Sequence, residues 1–397
     1  MTERDAPAQG VKEKLPLSGL LALTMAGFIV ILTEALPAGL LPQIAASLRG
    51  SEAVMGQLIT IYALGSLVAA IPLAAATQGV RRRPLLLAAI AGFGVVNTVT
   101  AVSDSLVLTL VARFIAGVCA GLVWAMIAGY AARMVPSSLK GRAIAVALAG
   151  TPLALTLGIP AGTFVGGLAG WRIAFGLLTA LTVVLIVWIL ARVPDFPGER
   201  AEKRHGIGAV FVLPGIRPVL ALTLLYILTH NILYTYVSPL LALAGIAHRT
   251  DSVLLVFGIA AFVSIWGVGI LVDRWLRELV LLSVALFALS GLVLALFPAA
   301  PVAIHLAVGV WGLAFGGAAT LFLTGLSNAA GDAQDVAQSM MVTAWNVAIG
   351  AGGLAGGVLL GAYGAHSFSY AAIALLLAAL VIAWRTRRQS YWRGAAA

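Results

Sequence analysis

The sequence predicts an all-α membrane protein with twelve transmembrane helices arranged as two six-helix bundles. Of its 397 residues, 61% are hydrophobic and only 10% are charged, whereas soluble globular domains carry about one quarter charged residues. Apolar runs of about 20 residues recur along the whole chain, and each is long enough to cross roughly 30 Å of hydrocarbon as a helix. A glycine pattern in the first half of the chain also recurs in the second half.

Polar, proline and glycine breaks separate the apolar runs and set the predicted helices. The first six predicted helices span 17–41, 54–77, 84–103, 106–131, 142–167 and 171–192. The second six span 217–244, 252–273, 278–297, 301–325, 336–362 and 367–385. The predicted organisation is a tail at 1–16, a bundle at 17–192, a linker at 193–216, a second bundle at 217–385 and a tail at 386–397.

The basic residues predict the orientation in the membrane. The net charge is +10, and the Lys and Arg residues lie in short connections between apolar runs, so they indicate topology and not a nucleic-acid-binding surface. With both termini in the cytoplasm, all 24 basic residues lie inside except Arg113 in the fourth helix and three on the outer side, Arg49, Arg172 and Arg249. The positive-inside rule therefore predicts that both termini are cytoplasmic.

Two features of the chain exclude other kinds of protein. Cys119 is the single cysteine, so an intramolecular disulfide and a CxxC metal cluster are excluded. The apolar run that follows the basic segment 1–15 is too long for a cleaved signal sequence, so we expect it to be retained as the first helix.

A repeated spacing predicts that the two bundles are duplicated units. Glycines 158, 162 and 166 of the fifth helix recur 195 residues later as glycines 353, 357 and 361 of the eleventh, and Arg81 recurs 196 residues later as Arg277. Parallel duplication is common in transporters, in which two bundles rock about a central cavity.

Two ionisable residues lie within predicted helices, where their cost makes a functional role the usual explanation. Glu34 lies in the first helix and Arg113 in the fourth. The two helices run in opposite directions, and each residue lies about seven positions from the outer face, or roughly 10 Å at 1.5 Å per residue. The pair could therefore meet across a cavity, where a desolvated acid beside a cation could bind and release a proton. A helix-end cap or a static ion pair is the structural alternative.

The seventh helix carries a polar and aromatic stripe. Tyr226, His230 and Tyr234 recur at steps of four on one helical face, with Asn231 beside them. Such a stripe suits either a substrate cavity wall or interhelical hydrogen bonding, and His230 is a further possible proton site because its reference pKa is near 6.5. The other predicted substrate-binding residues are Trp124, His305, Trp345 and Asn346.

Small residues and prolines dominate the fifth helix. Gly158, Pro160 and Gly162 lie at its centre, where small residues let helix backbones approach closely and prolines bend the helix. Tight packing and a rocking hinge both explain this composition.

Four segments carry a family resemblance that covers nearly the whole chain. The segment 269–274, GILVDR, with Arg277 is similar to the GxLxDRxxR loop that follows the eighth helix in the major facilitator superfamily. Arg113 with Gly117 resembles a fourth-helix motif of the same superfamily, and Gly158 to Gly162 resembles a relaxed form of its fifth-helix antiporter motif. The segment 33–42, TEALPAGLLP, resembles the first helix of bacterial arabinose or purine efflux permeases.

The resemblance implies a fold, a function and site residues. Its nearest branch is the twelve-helix drug:proton antiporters, which include sugar, nucleoside and chloramphenicol exporters. It implies a monomeric secondary transporter without a bound cofactor, which exports drug-like molecules, sugars or nucleosides by proton antiport, with Glu34 and Arg113 in proton coupling. Gating would involve the fifth-helix residues and the two basic loops, which contain Arg81, Arg82, Arg83, Asp273, Arg274 and Arg277. Thr77 stands where the family usually has Asp, which makes Asp273 the better candidate for a cytoplasmic latch.

Other functions are weaker explanations of the sequence. A proton-coupled importer on the same fold would accumulate its substrate instead of losing it. A membrane-embedded enzyme would need a nucleophile and base or a metal cluster, and the predicted helices contain no HExxH motif and no paired carboxylates. A receptor or scaffold would tolerate loss of Glu34 and Arg113. An ATP-driven pump would need a GxxxxGK[ST] loop, which the sequence lacks.

Overall fold

The computed structural model describes residues 15–70, 73, 76, 77, 79–136, 139–198 and 207–392, and its regular elements within these ranges are helical. The predicted tail as far as residue 14, the linker segment 199–206 and the last residues, 393–397, lie outside the described part of the chain. The all-helical membrane fold predicted from hydropathy is confirmed.

The first half of the chain forms six membrane-crossing helices. They are α1 (Leu17–Gly39), α2 (Glu52–Met55 and Gln57–Ala70), α3 (Arg82–Val102), α4 (Leu106–Arg133), α5 (Lys140–Leu148, Gly150–Leu153, a π-helical turn Ala154–Gly158 and Ile159–Ala169) and α6 (Trp171–Arg192). A short helix, Leu41–Ser47, follows α1.

The second half forms another six. They are α7 (Ile216–Thr235), α8 and α9 (the parts of Thr250–Leu296 before and after Trp275), α10 (Pro301–Gly316 and Ala318–Ala330), α11 (Gln334–Tyr363) and α12 (Ser367–Thr386). Shorter helices, Ile207–Phe211 and Val237–Ala242, lie on either side of α7.

The helix Thr250–Leu296 accounts for two crossings. Eleven helical stretches of the described chain are long and apolar enough to span a membrane, and one of them, Ala247–Leu296, has 50 residues. At 1.5 Å per residue a helix of this length would reach about 75 Å, more than twice the hydrocarbon thickness. Trp275 breaks the helix with φ −124° and ψ 27°, so the chain turns back there and the described part crosses the membrane twelve times.

Prolines explain where the observed helices differ from the predicted ones. The predicted helix 217–244 is interrupted after Thr235, because Pro239 lacks the N–H that would pair with the carbonyl of that residue. Pro152 in α5 likewise lacks the N–H for the carbonyl of Leu148, where the first part of this helix ends. Hydropathy does not predict either break, because a single proline lowers the mean hydropathy too little to end a predicted helix.

Because successive helices run in opposite directions, their ends form two faces of the molecule. The face at which α1 begins and α6 and α12 end is called the linker face. The opposite face is called the distal face. Gly19 of α1 packs against Met134, which directly follows α4, and against the carbonyl of Arg192, the last residue of α6. These ends therefore meet at the linker face.

The two bundles pack together through a few helix pairs. Helix α2 packs along α11, α5 packs along α8, and α1 contacts α7 and α8. Thr156, in the π-helical turn of α5, donates a hydrogen bond to the carbonyl of Gly258 in α8 at 3.0 Å. A Cβ on Gly258 would lie 2.5 Å from the Cα of Thr156, so this backbone approach requires glycine.

Candidate functional site

Arg113 supports a proline-weakened turn of α1. Pro37 lies inside α1 and has no N–H, so the carbonyl of Thr33 loses its helical partner. The guanidinium of Arg113 donates to that carbonyl and, at 3.0 Å, to the carbonyl of Glu34. Its Nε donates to the carbonyl of Leu58 in α2 at 3.4 Å. Arg113 is only 1% exposed, and these backbone acceptors take up donors that would otherwise be unpaired in a buried cation.

The carboxylate of Glu34 lies beside this arginine but is not paired with it. The side chain is half-buried, and among the described residues its carboxylate has no hydrogen bond and no ion pair within 4.0 Å. Arg113 and Tyr62 are close enough to interact with it electrostatically. The structure thus brings Glu34 and Arg113 together, as their matching depth predicts, but Arg113 binds the backbone and leaves the acid free.

Two residues near α1 have no counterpart among the sequence predictions. The hydroxyl of Tyr62 donates to the carbonyl of Val30 at 3.2 Å. The guanidinium carbon of Arg113 lies over the Tyr62 ring, 4.9 Å from the ring centroid. Asn97 in α3 donates its amide to the Thr33 hydroxyl at 3.0 Å. Because helices α2, α3 and α4 all hold the same turn of α1, the site is larger than the predicted pair. A proline four residues after Thr33 is the sequence signal that could have indicated an orphaned carbonyl.

The α7 stripe packs into an aromatic cluster inside the second bundle. The ring of His230 stacks on Phe315 of α10 with centroids 3.6 Å apart and also contacts Tyr234 and Trp311. His230 and Tyr234 therefore pack as neighbours on one surface of α7, and the rings of α8 and α10 that meet this surface were not predicted. The Tyr226 hydroxyl lies apart from His230 in a 2.9 Å hydrogen bond with Ser283 of α9.

The remaining predicted substrate-binding residues are dispersed. Trp124 is half-buried and packs against Gly27 of α1. Trp345 and Asn346 are partly exposed on α11, where the Asn346 amide donates to its own helix. The ring Nδ1 of His305 lies 2.7 Å from the carbonyl of Pro301, at the distal start of α10. Asn231 bonds the carbonyl of Ile227 and packs against Gly352 of α11.

Hydrogen bonds between the bundles hold the distal side closed. The Gln57 amide of α2 donates to the Tyr236 hydroxyl at 3.3 Å and to the carbonyl of Gly353 at 3.2 Å. The Tyr236 hydroxyl is 2.8 Å from that carbonyl and 3.3 Å from the carbonyl of Ala53. Together with Thr156, these residues make all the hydrogen bonds that join the bundles within the described chain. They lie at mid-membrane or towards the distal face.

Replacing Tyr236 with Phe is expected to open the distal face more often. The change removes two hydrogen bonds across the interface, to Gln57 and Ala53. At 0.5–1.5 kcal/mol each, their loss should raise the open population about five- to 150-fold. Spin labels on cysteines at Val107 and Tyr363, both exposed, would report the separation by electron–electron double resonance. The buried Cys119 is first replaced by Ser.

Tyr226→Phe is the matched control for that experiment, because its hydroxyl bonds Ser283 within one bundle. An unchanged distance distribution in Tyr236→Phe, or an equal shift in both variants, would contradict a role of Tyr236 in distal closure.

The predicted hinge residues of α5 pack against α1. Gly158 faces Phe28 and Leu32, and Gly162 faces Leu36. Pro160 is buried directly after the π-helical turn. The second-half counterparts contact other neighbours, since Gly353 and Gly357 face α2. The duplicated glycines thus serve different interfaces in the two halves.

The basic loop between α2 and α3 binds the segment that directly follows α6. Arg81 lies 2.6 Å from the carboxylate of Asp195, and the backbone N–H of Arg83 donates to the same carboxylate at 3.0 Å. Desolvation raises the pKa of Asp195, but the Arg83 N–H and the Arg81 guanidinium lower it by more, so the net pKa lies below its usual value. Arg82 donates its N–H to the carbonyl of Phe196 at 2.9 Å. The loop therefore contacts its own bundle.

The corresponding loop of the second half is more open. Asp273 and Arg274 are exposed at the turn near Trp275, and within the described chain Asp273 has no ion pair. Arg277 pairs with the adjacent Glu278. A latch role for Asp273 would thus need a conformation in which another residue approaches it.

Comparison with known proteins gives one family and several structures. A model of the Major Facilitator Superfamily matches residues 23–353. A bacterial homologue of the human lysosomal transporter Spinster, in an inward-facing and unoccupied conformation, has 14% identity and a TM-score of 0.70 and covers 96% of this chain and 98% of that chain.

Two further structures share the fold. A mutant of the nucleoside transporter NupG is 14% identical, with a TM-score of 0.70, over 92% of this chain and 98% of that one. The human organic anion transporter MFSD10 (TETRAN) is 15% identical, with a TM-score of 0.70, over 94% of this chain and 100% of that one. At these identities the likeness shows the arrangement of helices.

Proposed function

Since the chain belongs to the Major Facilitator Superfamily and is a membrane transporter, not an enzyme, we propose that it exports small molecules in exchange for protons. In this proposal the linker face is cytoplasmic, as the basic connections favour, and the protein lies in a bacterial inner membrane as a monomer. The observation that carries the proposal is the half-buried side chain of Glu34, whose carboxylate lies near the buried Arg113 and has no hydrogen-bond or ion-pair partner among the described residues.

The bonding of Arg113 supports a titratable Glu34. Because Arg113 donates to the carbonyls of Thr33, Glu34 and Leu58, its position does not depend on the charge of the acid. A carboxylate locked in a buried ion pair would resist protonation, since neutralising it would leave a buried charge uncompensated. Glu34 can therefore gain or lose a proton while Arg113 and α1 keep their hydrogen bonds.

The position of Glu34 links its charge to the movement of the bundles. It lies on α1, which contacts α7 and α8 of the other bundle. Ionised Glu34 offsets the charge of Arg113 and protonated Glu34 does not, so the electrostatic free energy of this interface changes with the proton. In an export cycle, substrate binds from the linker side with Glu34 ionised, and the acid takes a proton once the distal side opens. The proton stays on Glu34 during the return to the linker side, where the next substrate molecule displaces it.

The closed distal side supports alternating access. The hydrogen bonds of Gln57, Tyr236 and Thr156 join the bundles at mid-membrane or beyond it, whereas the first part of α5, Lys140–Leu148, packs on α1 and α4 of its own bundle. With the linker face cytoplasmic, this is an inward-facing state. The export direction is supported by the relaxed antiporter motif at Gly158 to Gly162.

The side chains available for substrate favour neutral or weakly cationic amphipathic molecules. Trp124 and Trp345 are partly exposed, and aromatic faces bind both flat apolar groups and cations. Sugars and nucleosides also stack on such faces. The structurally similar proteins transport nucleosides and organic anions, so the shared fold by itself does not select a substrate.

An efflux panel in cells that express the chain tests the proposal. Ethidium, adenosine and arabinose represent a cationic amphipath, a nucleoside and a sugar, and each is followed with and without a proton uncoupler. We expect faster loss of at least one of them than in vector-only cells, and the uncoupler should abolish the difference.

Two outcomes would overturn the proposal. Greater accumulation of a compound in expressing cells, sensitive to the uncoupler, would show import on the same fold. Efflux that continues unchanged with the uncoupler would show that protons do not drive it. Glu52→Gln serves as the control for changes at Glu34, because Glu52 lies on the distal surface in the first turn of α2.

A further inference from the structure

Three buried polar atoms without partners lie together in the second bundle. His230 and Tyr234 of α7 and Trp311 of α10 are 6%, 4% and 0% exposed. The Nδ1 of His230, the hydroxyl of Tyr234 and the Nε1 of Trp311 have no hydrogen bond within the described chain. A buried polar atom left unpaired costs about 1–3 kcal/mol, so such a group of three requires an explanation. Their rings are neighbours, with centroids 5.0–6.1 Å apart.

One ring closes this cluster. Phe315 lies parallel to His230, with an angle of 12° between planes and 3.6 Å between centroids. Phe257 and Phe287, which pack on the same rings, are fully buried, whereas Phe315 is partly exposed. Phe315 therefore covers one face of His230, at the stacking distance that a bound flat ring would take.

Helix α10 is interrupted directly after this ring. Its first part ends at Gly316 and its second begins at Ala318. The N–H of Gly317 donates to the Ser264 hydroxyl of α8 at 3.1 Å and to the carbonyl of Phe315, two residues back, which is not the regular helical partner. Loss of regular helical hydrogen bonding lowers the cost of a local rotation. Phe315 can thus swing away without unwinding an intact helix.

We propose that His230, Tyr234 and Trp311 form a subsite for a neutral heteroaromatic group, and that Phe315 occupies the place of that group in the closed state. The inference rests on the proposed transport function and specifies part of its substrate. A ligand ring would stack on the face of His230, and acceptor atoms at its edge would take hydrogen bonds from the Nε1–H of Trp311 and the hydroxyl of Tyr234.

The donor chemistry sets the ligand class. The Nε1–H of Trp311 can only donate, so the ligand must carry an acceptor, which an ammonium group lacks. Among the described residues, no Asp, Glu, Lys or Arg interacts with His230 or Tyr234 to balance a charged ligand, and an unpaired charge would be costly in this apolar site. A purely hydrocarbon ring would leave the three atoms unsatisfied.

Three probes of one shape test this class on the purified full chain by isothermal titration calorimetry without a pH gradient. Quinoxaline is neutral with two ring acceptors, naphthalene has none, and N-methylquinolinium is cationic. Binding to the subsite is the part of the signal that Trp311→Phe removes, because detergent partitioning is the same in both proteins. We expect quinoxaline to bind in this way and the other two probes not to bind.

Variants locate the binding atoms. Tyr234→Phe keeps the ring and is expected to weaken quinoxaline about three- to tenfold, the range of one hydrogen bond. Trp311→Phe replaces the indole with a smaller ring that has no donor and should abolish binding to the subsite. Phe315→Ala removes the competing ring and should strengthen binding. Tyr130→Phe, whose hydroxyl donates to the carbonyl of Pro194 in the first bundle, is the control and should bind quinoxaline like the unmodified protein. Elution of each variant as a single species confirms folding.

Defined results would overturn the subsite. The subsite would be refuted if naphthalene bound as well as quinoxaline or if N-methylquinolinium bound more tightly. It would also be refuted if Tyr234→Phe bound quinoxaline like the unmodified protein, which would indicate that only buried water hydrogen-bonds these atoms. The calorimetric assay has no pH gradient, so it does not depend on proton-driven efflux. A protein that binds quinoxaline but shows no proton-driven efflux would therefore refute the proposed function and leave the subsite intact.

Discussion

Replacing Glu34 with Gln is expected to reduce efflux driven by a pH gradient by about tenfold or more, because the amide keeps the shape of the carboxylate but cannot carry a proton. The side chain makes no hydrogen bond within the described chain, so its loss should not disturb packing. The measurement is efflux from proteoliposomes with an imposed pH gradient. Exchange of labelled for unlabelled substrate without a gradient should continue, since exchange needs movement of the bundles but no net proton transfer.

The surface acid Glu52 provides the comparison for that change. Glu52→Gln removes a carboxylate from the first turn of α2 and should leave gradient-driven efflux unchanged. If Glu34→Gln loses exchange and gradient-driven efflux in equal measure, Glu34 is needed for folding or substrate binding, and the coupling role is wrong.

Replacing Arg113 with Lys is expected to impair both stability and transport. A lysine keeps the charge, but its single ammonium lacks the planar fork that reaches the carbonyls of Thr33 and Glu34 together. A buried carbonyl left without a donor costs about 1–3 kcal/mol, and the carbonyl of Thr33 has no helical alternative because of Pro37. Thermal unfolding in detergent and efflux from proteoliposomes should both show the loss.

Arg249→Lys is the matched control for Arg113→Lys. Arg249 is exposed just before α8, and its guanidinium has no hydrogen bond or ion pair in the described part of the chain. We expect an unchanged unfolding temperature in this control. Normal stability and transport in Arg113→Lys would mean that charge alone matters at this position and that the support of α1 by two carbonyl contacts is not needed.

Hydropathy predicts the helices well because each crossing must satisfy its own backbone in lipid. The predicted fourth helix, 106–131, and sixth, 171–192, agree closely with Leu106–Arg133 and Trp171–Arg192. The interruptions are harder to predict. The break at Gly317 depends on the hydroxyl of Ser264, which is distant in sequence, so local composition does not determine it.

The candidate site could be predicted only in part. Depth in the membrane places Glu34 near Arg113, because both positions can be counted from the helix ends. It does not show that the guanidinium binds backbone carbonyls, since that contact depends on the proline break and on the crossing of α1 and α4. The spacing of His230 and Tyr234 likewise defines one face of α7, but the rings of Trp311 and Phe315 that meet this face come from the tertiary fold.

Proton release on substrate binding tests the central claim, that Glu34 exchanges a proton during transport, most directly. Purified protein in weakly buffered detergent solution with a pH dye is mixed with the compound that gives the largest uncoupler-sensitive efflux. We predict that the unmodified protein and Glu52→Gln release protons when the compound binds and that Glu34→Gln releases none while still binding it. Equal proton release from Glu34→Gln would contradict the account.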